Sequence, residues 1–496
     1  MLDAIVIGSG PNGLVAANRL ARAGMTVRVL EQNKAIGGAL RSRELTLPGF
    51  VHDLGAAFFP FASASPALQS LELGQAGLAW CKAEVESAHP ALDGSCASLV
   101  RNLDDLDGYF AGDGDAWRKV AVWTRCVRDK LLALLLATPV SLTAAWKLGA
   151  MNLLRFAEIG LSSGRGWSER RFQSEAARRV LPGLALHTDI GPDDEFGAAV
   201  GFMLAALATV DGFAVPRGGA GAITAALLQR LAEQGGDVMA GCGVTQIIVK
   251  RGRAIGVRTP EGDLEARVIV ADVAAPTLYL KLLPEAALPS QVIASMRRFH
   301  HGFGTFKMDW ALDGPVPWRN EACRRAAVVH PGESNQDLAR FVKQVRAGEL
   351  PDLPYLVVGQ QSLLDPSRAP AGKHTLWCYS RVPSTRPWRA DAPLFAARIE
   401  DRIEGLAPGF KKLILARHVA APPDLEATNP NLIGGDLGGG SAQLDQQLFF
   451  RPMFPYFRYR TPVNGLYLCS SYTHPGAGVH GMCGFNAAAA VLSDHG

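Results

Sequence analysis

Residues 4–42 read AIVIGSGPNGLVAANRLARAGMTVRVLEQNKAIGGALRS. The apolar run Ala4–Ile7 ends at a glycine, as a buried parallel strand does. A stretch with helical spacing follows, and Gly24 stands where a C-cap glycine belongs. The run Thr26–Leu30 predicts a second strand, which delivers Glu31 at its carboxyl end. The stretch therefore predicts a strand–helix–strand unit of an α/β fold.

The turn between the first strand and the helix carries the pattern G-x-G-x-x-G. Gly8 permits the sharp turn, Gly10 lets the backbone approach a pyrophosphate, and Gly13 lets the helix pack on the strand. Glu31 follows about twenty residues later, where a carboxylate accepts hydrogen bonds from a ribose 2′-OH and repels a 2′-phosphate. The pattern predicts a dinucleotide site that disfavours NADP, and its spacing leaves FAD and NAD open.

A glycine pair, Gly37 and Gly38, follows Glu31 and lets a second backbone segment pass close to the dinucleotide. At this point the sequence resembles the glutathione-reductase-type flavoproteins, and most of all the branch that holds amine oxidases, phytoene desaturases and carotenoid isomerases. The resemblance implies FAD as the cofactor. It also implies the fold class: α/β, with a Rossmann-type FAD-binding domain assembled from discontinuous segments and an α+β substrate domain.

Three further stretches carry this resemblance. Residues 49–56 are similar to a segment that passes under the flavin, and residues 215–272 to a second FAD-domain segment whose backbone near Val244 lies by the adenine. Residues 459–492 contain the shape HPG-x-GV-x-G-x-x-G-x-NAA of the phytoene-desaturase-like subgroup. Together with the opening motif, the cofactor-binding residues that the resemblance implies are Gly8, Gly10, Pro11, Asn12, Gly13, Glu31, Gln32, Gly37, Gly38, Ala39, Leu40, Arg41, Gly55, Ala56, Val244, Ala271, Asp272, Ser471, Gly478, Val479 and Gly481.

The same resemblance divides the chain into two domains. The FAD-binding domain is expected to comprise residues 1–75, 210–275 and 456–496, and the substrate domain residues 76–209 and 276–455. Residues 75–205 are expected to be rich in helix. Short strands are expected at Val244–Val249, Ala254–Arg258, Leu264–Val270 and Gly465–Cys469.

Composition restricts the classes of function. Of the 496 residues 48% are hydrophobic, and the net charge of +4 comes without a long run of lysine and arginine, so nucleic-acid binding has no support. The eight cysteines are scattered without a C-x-x-C pair, which predicts reduced thiols and no metal site. The sequence carries one dinucleotide fingerprint, so electrons are expected to leave the FAD for oxygen, a quinone or another carrier.

The stretch from Lys130 to Gly160 is the membrane candidate. Pro139 and Lys147 interrupt it, so it falls short of the ~20 apolar residues that a span requires. It is either a buried helix pair or a helical surface that dips into a bilayer or admits a lipid-like substrate. Asp3 stands where a signal peptide would be basic. We therefore predict a cytoplasmic protein, and leave peripheral membrane attachment and a homo-oligomer open.

Two residues are candidates for catalysis. His474 lies in the glycine loop that should approach the isoalloxazine ring, where a histidine could act as acid or base or could bond a backbone carbonyl. Lys307 lies in the alternating stretch 302–312, which predicts a half-buried strand, and could face the flavin or the cavity or remain solvated on the polar face. His480 lies in the same loop as His474, but it replaces a small residue common in the family, so its use in catalysis is less secure.

The closing motif and the apolar stretch 130–160 together predict the reaction. We expect an FAD-dependent desaturase or dehydrogenase that transfers hydride from an apolar, isoprenoid or long-chain substrate to flavin N5. Three alternatives stay open. They are a polyene cis–trans isomerase that uses reduced FAD, an amine oxidase, and a non-catalytic FAD-binding partner protein.

Overall fold

The computed structural model describes residues 2–139 and 141–495. The strands are β1 (Leu2–Ile7), β2 (Val27–Glu31), β3 (Ser42–Glu44), β4 (Val51–Asp53), β5 (Trp80–Cys81), β6 (Val85–Pro90), β7 (Cys96–Leu99), β8 (Val215–Pro216), β9 (Asp237–Ala240), β10 (Gln246–Lys250), β11 (Arg253–Thr259), β12 (Gly262–Ala271), β13 (Gly304–Leu312), β14 (Ala326–Val329), β15 (Val357–Gly359), β16 (His374–Val382), β17 (Ile414–Ala420) and β18 (Leu466–Leu468).

The α-helices are α1 (Pro11–Arg22), α2 (Pro66–Ser70), α3 (Leu106–Tyr109), α4 (Gly114–Leu136), α5 (Leu142–Leu148), α6 (Ala150–Gly160), α7 (Gly164–Glu169), α8 (Glu175–Arg178), α9 (Val180–Ala185), α10 (Gly197–Val210), α11 (Gly221–Glu233), α12 (Ala275–Thr277), α13 (Ser290–Arg297), α14 (Glu321–Arg325), α15 (Asn335–Arg346), α16 (Gln361–Leu364), α17 (Trp388–Leu406), α18 (Pro422–Thr428) and α19 (Met482–His495). Short 3₁₀ or π turns lie at Leu73–Ala76, Leu278–Leu282, Glu285–Ala287, Pro366–Arg368, Phe410–Leu413, Ile433–Gly435, Leu444–Gln446 and Leu448–Phe450.

The first sheet has β1 at its centre. β1 pairs in parallel with β2 and β12, β2 continues to β9, and β18 joins β12, while β10 and β11 extend β12 as an antiparallel meander. Ala4 and Val6 pack among side chains of α1, α11 and α19, whereas Ile5 and Ile7 pack among those of α12 and α13. Helices on both faces explain why the strand is continuously apolar. The predicted strand–helix–strand unit and the α/β fold are confirmed.

The four predicted strands of this sheet are β10, β11, β12 and β18, with ends displaced by one or two residues. The seven strands of the first sheet lie within residues 2–31, 237–271 and 466–468, so the sheet is assembled from segments far apart in the chain. The domain boundaries given above remain predictions.

The second sheet has the order β17–β13–β16–β15–β14–β6–β7, antiparallel except for the parallel pair β6–β14. The prediction of a half-buried β13 is wrong, because all nine of its residues are buried. Phe306 contacts the rings of Trp388 and Phe395 on one face. On the other face Lys307 and Asp309 form an ion pair. The polar side chains of this face therefore contact each other and are not exposed to water.

The region predicted to be rich in helix contains α3 to α10, but β5, β6 and β7 precede them. β6 pairs with β14, whose residues lie more than two hundred positions later in the chain. Because its partner is so distant, the local periodicity of the sequence does not predict β6 as a strand. In the stretch 130–160, α5 and α6 expose Leu142, Trp146 and Met151, so the buried-pair alternative is wrong for these helices. Among the residues described, no helix is both long and apolar enough to cross a bilayer.

Candidate functional site

The glycine turn after β1 is packed too tightly for side chains. A Cβ on Gly10 would lie 2.5 Å from Oδ2 of Asp272, and one on Gly8 would lie 2.7 Å from the Asp272 carbonyl oxygen. Gly38 brings the second glycine segment against the first, since its Cβ would lie 2.9 Å from Cα of Gly10. The structure therefore brings together the two glycine motifs that the sequence analysis assigned to one dinucleotide.

Glu31 extends from the end of β2 towards this turn. Its Oε2 accepts hydrogen bonds from Ser9 N at 3.0 Å and from Ser9 Oγ at 2.6 Å, and its Oε1 accepts one from Asn33 N at 2.9 Å. The same Ser9 Oγ accepts a bond from Gly37 N at 3.0 Å, which ties the glycine pair to the turn. Gly243 lies against Gln32 and places the segment of Val244 beside the end of β2.

Asp272 closes the turn from β12. Its neighbour Ala271 pairs with Ile7, and its Oδ2 accepts a hydrogen bond from Gly13 N at 2.9 Å. Burial raises the pKa of this carboxyl to about 7, and the nearby Glu31 adds to the rise. The raised pKa suits a carboxyl that lies close to an anionic ligand, because the neutral form does not repel it.

The start of α1 faces the same space. Pro11 stands in the first turn, where a missing N–H costs nothing, and the N-cap Gly10 makes no side-chain cap. The Oδ1 atom of Asn12 is buried without a hydrogen-bond partner. A helix N-terminus with a positive dipole, a glycine cradle that a Cβ would fill and an unpaired polar atom fit the pyrophosphate of a dinucleotide. The residues present therefore fit FAD.

A cavity of about 460 Å³ opens from this site towards the second sheet. Predicted FAD residues on its wall are Gly38, Ala39, Arg41, Gly55, Ala56, Gly478 and Val479. Other residues on its wall, from α6, α10, β15 and β16, are Phe156, Ala199, Val200, Met203, Leu204, Val357, Trp377 and Tyr379. The predicted FAD segments and the elements of the second sheet and its helices thus share one cavity.

Three predicted FAD residues lie just behind this wall. The Leu40 carbonyl accepts a hydrogen bond from Thr224 Oγ1 at 2.7 Å, which ties the glycine pair to α11. Gly481 lies against Val15 of α1, where its Cβ would come within 2.7 Å. The Ser471 carbonyl accepts a bond from Arg451. These residues position the loops that form the wall.

His474 lies on the cavity wall, and its placement beside the isoalloxazine ring stays a prediction. Its Nε2 donates a hydrogen bond to the carbonyl of Leu135 at 3.0 Å. This is the structural role, bonding a backbone carbonyl, that the sequence analysis gave as one of two alternatives. Burial, with the charge of Arg451, lowers the pKa of His474 to about 4. Burial likewise lowers the pKa of His480 to about 4, and its Nδ1 accepts a bond from Met482 N at 3.0 Å. Both imidazoles are neutral near pH 7.

Lys307 is not among the residues that line the cavity. Its ammonium is paired with Asp309, and the side chain is 6% exposed. His52 and His418 lie on the same carboxylate at 3.8 and 3.7 Å. The structure therefore contradicts the solvated alternative, because β13 is covered on both faces, and Lys307 does not face the cavity. Its placement near the flavin stays a prediction.

Arg451 is a site residue that the sequence analysis missed. Its buried guanidinium lies on the cavity wall and donates to the carbonyls of Gly438, Gly439, Ser441 and Ser471. It joins the loop after α18 to the loop that carries His474. Its surroundings in sequence, QQLFFRP, give no periodic signal that would mark the arginine as buried.

Comparisons with known proteins agree with an FAD cofactor. The family model for flavin containing amine oxidoreductases matches residues 12–492. Pyridine nucleotide-disulfide oxidoreductase domain-containing protein 2 of Mus musculus is 28% identical over 99% of this chain and 93% of its own length. The neurosporene-forming phytoene desaturase of Rhodobacter capsulatus is 30% identical over 54% of this chain and 51% of its own. Putrescine oxidase bound to putrescine shares the fold, with a TM-score of 0.61 at 16% identity over 99% of both chains.

Proposed function

The chain belongs to the flavin-containing amine oxidoreductase family and is an FAD-dependent oxidoreductase, and from this premise we propose that it desaturates an apolar, isoprenoid or long-chain substrate. The observation that carries the proposal is the chemistry of the cavity wall. Phe156, Met203 and Val357 give the wall an apolar lining along the side formed by the second sheet and α10. An extended hydrocarbon gains by leaving water for such a surface.

The acidic groups of the wall are already paired within the chain. Asp189 accepts from Ser441 Oγ at 2.5 Å and from Ala442 N at 2.8 Å. Asp436 accepts from three backbone N–H groups, those of Gly302, Gly438 and Gly440. A cationic amine that entered the cavity would have to compete for carboxylates that are already satisfied, which is costly in a buried site. A neutral substrate has no such cost.

The basic groups of the wall are paired as well. Arg41 donates to the carbonyls of Gly38 and Thr428, at 2.9 and 3.1 Å. Arg381 donates to Thr305 Oγ1 at 2.7 Å and to backbone carbonyls of the loop after α9. These guanidiniums stabilise the loops around the cavity and offer little to an anionic substrate. Because the charged groups of the wall already make hydrogen bonds within the chain, the wall favours an uncharged substrate. Its apolar side chains favour an apolar one.

FAD, when bound, accepts the hydride equivalent that the oxidation of a C–H bond releases. The protein's own contribution is to hold the substrate and to exclude water. Ala39, Ala56 and Val479 line the part of the wall formed by the FAD segments, and Trp377 stands on the sheet side. Enclosure between these surfaces keeps solvent from the reacting carbon.

We further propose that the substrate enters from a lipid bilayer. Leu142, Trp146 and Met151 on α5 and α6 are 79%, 82% and 78% exposed, an unusual density of large apolar side chains at a surface. Phe156 on the same α6 lines the cavity, so the exposed helix continues into the cavity wall. Lys147 is exposed among these residues and would face anionic headgroups.

A second exposed segment reaches the same cavity. Phe449, Phe450 and Phe454 are exposed, and their neighbour Leu448 lies on the cavity wall. We call these phenylalanines together with Leu142, Trp146 and Met151 the apolar rim. A rim on a membrane surface would also place the protein beside membrane quinones, which we propose as the electron acceptor alongside oxygen. Assembly of the chain into a homo-oligomer stays a prediction.

Anaerobic titration of the FAD-loaded protein tests the function. Probes of three classes, a linear polyene, a long-chain alcohol and putrescine, are added while the flavin absorbance is followed. Bleaching by an apolar probe, with a product lighter by two hydrogens, supports the proposal. Bleaching by putrescine alone overturns it in favour of amine oxidation. A polyene product of unchanged mass, formed with reduced FAD, identifies an isomerase instead.

A matched pair of variants checks that the cavity is the site. Leu204→Asn places a polar group on the cavity wall, and Leu394→Asn makes the same change at an exposed position of α17. We expect the first variant to slow bleaching by the apolar probe at least about tenfold, because the amide must lose its hydration when the probe binds. The second should leave the rate unchanged. Full FAD occupancy without bleaching by any probe in the native protein would favour a non-catalytic partner protein.

A further inference from the structure

A line of hydrogen bonds starts at the cavity wall and runs into the second sheet. Tyr379 on β16 and His187 after α9 both line the cavity, and Tyr379 Oη lies 2.9 Å from His187 Nδ1. His187 Nε2 lies 2.8 Å from Nε2 of His330, which follows β14. His330 Nδ1 lies 2.9 Å from Ser87 Oγ, and Ser87 Oγ lies 3.0 Å from His89 Nε2, both on β6. The FAD site uses none of these groups.

The parallel pairing of β6 with β14 holds the inner part of this line. His330 N donates to the carbonyl of Ala88 at 2.8 Å, and the rings of His89 and His330 stack with centroids 4.8 Å apart. Ser87, His89 and His330 are buried, whereas His187 keeps part of its surface because it faces the cavity. The line is therefore rigid inside and open at one end.

The three imidazoles are neutral near pH 7. Burial lowers the pKa of His187 and of His89 to about 3, and lowers that of His330 well below its usual value. Arg381 near His187 and Arg179 near His89 act in the same direction. Burial also raises the pKa of Tyr379 to about 12, so its phenol keeps its proton.

Neutral rings fix the order of the protons along the line. A neutral imidazole has one N–H and one bare nitrogen, so a ring that accepts on one side donates on the other. When Tyr379 donates to His187, His187 donates to His330, His330 to Ser87, and Ser87 to His89. When His89 donates to Ser87, every bond points the other way. The fully bonded line therefore has two orders of its protons. A shift of every proton by one contact converts the first order into the second; it needs one proton delivered to Tyr379 and leaves one extra proton on His89.

We propose that Tyr379, His187, His330, Ser87 and His89 form a proton relay that takes up the proton lost by the substrate in the cavity. The inference rests on the proposed oxidation, which removes two hydrogens, one as hydride and one as a proton, and the relay concerns the proton alone. Tyr379 is the member that meets the substrate. The remaining members act through it.

A substrate C–H bond breaks, its electron pair becomes the second bond of the new C=C, and the proton goes to Tyr379 Oη. The phenol proton passes to His187, one proton moves across each following contact, and the last forms N–H on His89 Nε2. A C–H bond beside a carbon that has lost hydride is a strong acid, so bases this weak suffice. Arg179 disfavours a lasting charge on His89, and the proton returns along the line when water re-enters the cavity.

Nitrogen-15 NMR of histidine-labelled, FAD-loaded protein without substrate tests the relay itself. We expect His187 and His330 to be neutral at pH 7, with the proton on Nε2 of His187 and on Nδ1 of His330, which is the order in which Tyr379 donates. His330→Gln should let His187 populate both tautomers, because rotation of the amide offers that ring either a donor or an acceptor. Tyr355→Phe is the control, since Tyr355 stacks near His330 but bonds Gly183 outside the line. A charged His187, or a proton on its Nδ1 in the native protein, overturns the relay.

Kinetics with any probe that bleaches the flavin supply the second test. Native protein should show a solvent isotope effect with a curved proton inventory, since several protons move together. His330→Gln should slow flavin reduction at least about tenfold and give a linear inventory, whereas Tyr355→Phe should behave as native. Native rates and a curved inventory in His330→Gln would overturn the relay. If no probe bleaches the flavin, the proposed oxidation fails and the NMR result still decides whether the relay exists.

Discussion

Gly10→Ala tests whether the glycine turn holds the pyrophosphate of FAD. A Cβ on residue 10 would lie 2.5 Å from Oδ2 of Asp272, about 0.9 Å inside ordinary contact. Relief requires the Asp272 carboxyl to leave the N–H of Gly13, from which it accepts at 2.9 Å. Losing a hydrogen bond to a buried carboxyl costs about 1–3 kcal/mol, so the free energy of unfolding of the apoprotein should fall by about that amount.

Asp272→Ala in the Gly10→Ala background removes the atom that the new methyl meets. We expect the double variant to be more stable than the sum of the single losses by at least about 1 kcal/mol. FAD binding should not recover, because a pyrophosphate that approaches the backbone of residue 10 meets the same methyl. The FAD dissociation constant should therefore rise at least about 100-fold in both variants, which corresponds to about 2.7 kcal/mol.

Urea unfolding of apoprotein measures the first effect, and the fluorescence of FAD on titration with apoprotein measures the second. Gly74→Ala is the control, since nothing lies within 4 Å of a Cβ at that glycine. Native FAD affinity in Gly10→Ala would refute the placement of the pyrophosphate at this turn. Strict additivity of the two substitutions in urea would refute the contact between residue 10 and Asp272.

Arg451→Met should lower the free energy of unfolding in urea by more than about 3 kcal/mol, because four loop carbonyls lose a buried donor, and Arg451→Lys should recover part of it. Trp146→Ser should reduce co-sedimentation with anionic liposomes several-fold, and Leu415→Ser, an exposed residue on β17, should not; equal effects would contradict the apolar rim. The pKa of Asp272, raised from 3.8 to about 7, lets the folded protein hold a proton that the unfolded chain releases, so this group's contribution to stability falls as the pH rises from about 4 to 7. Asp272→Asn should remove that part of the slope in urea unfolding followed across this range.

The cofactor end of the molecule could be predicted because its constraints are local. Gly8, Gly10 and Gly13 act within one turn, and Glu31 follows at a spacing fixed by one helix and one strand. The same reasoning failed for Lys307. The alternation of polar and apolar residues along β13 fits a strand with one solvent-exposed face, and it fits equally a strand whose polar face is buried. Pairing of β13 with β16 and β17 decides between them, and those partners begin about sixty residues or more away.

The line of hydrogen bonds from Tyr379 to His89 could not be predicted from the sequence at all. Its members come from four segments, around residues 87–89, 187, 330 and 379, and no spacing in the sequence links them. Each histidine alone resembles an ordinary buried imidazole. Only the register of β6 on β14, together with the loop after α9, brings the nitrogens within hydrogen-bond distance.

The assembly of the first sheet from distant segments has a consequence for synthesis of the protein. Gly484 in α19 packs on the carbonyl of Asn12 at the start of α1, and β18 adds to β12 just before that helix. A ribosome-bound chain that has not reached residue 484 lacks this cover, so the face of α1 that meets α19 stays exposed until the end of translation. Such late closure leaves apolar surface uncovered while the chain grows, and it makes completion of the FAD site one of the last events of folding.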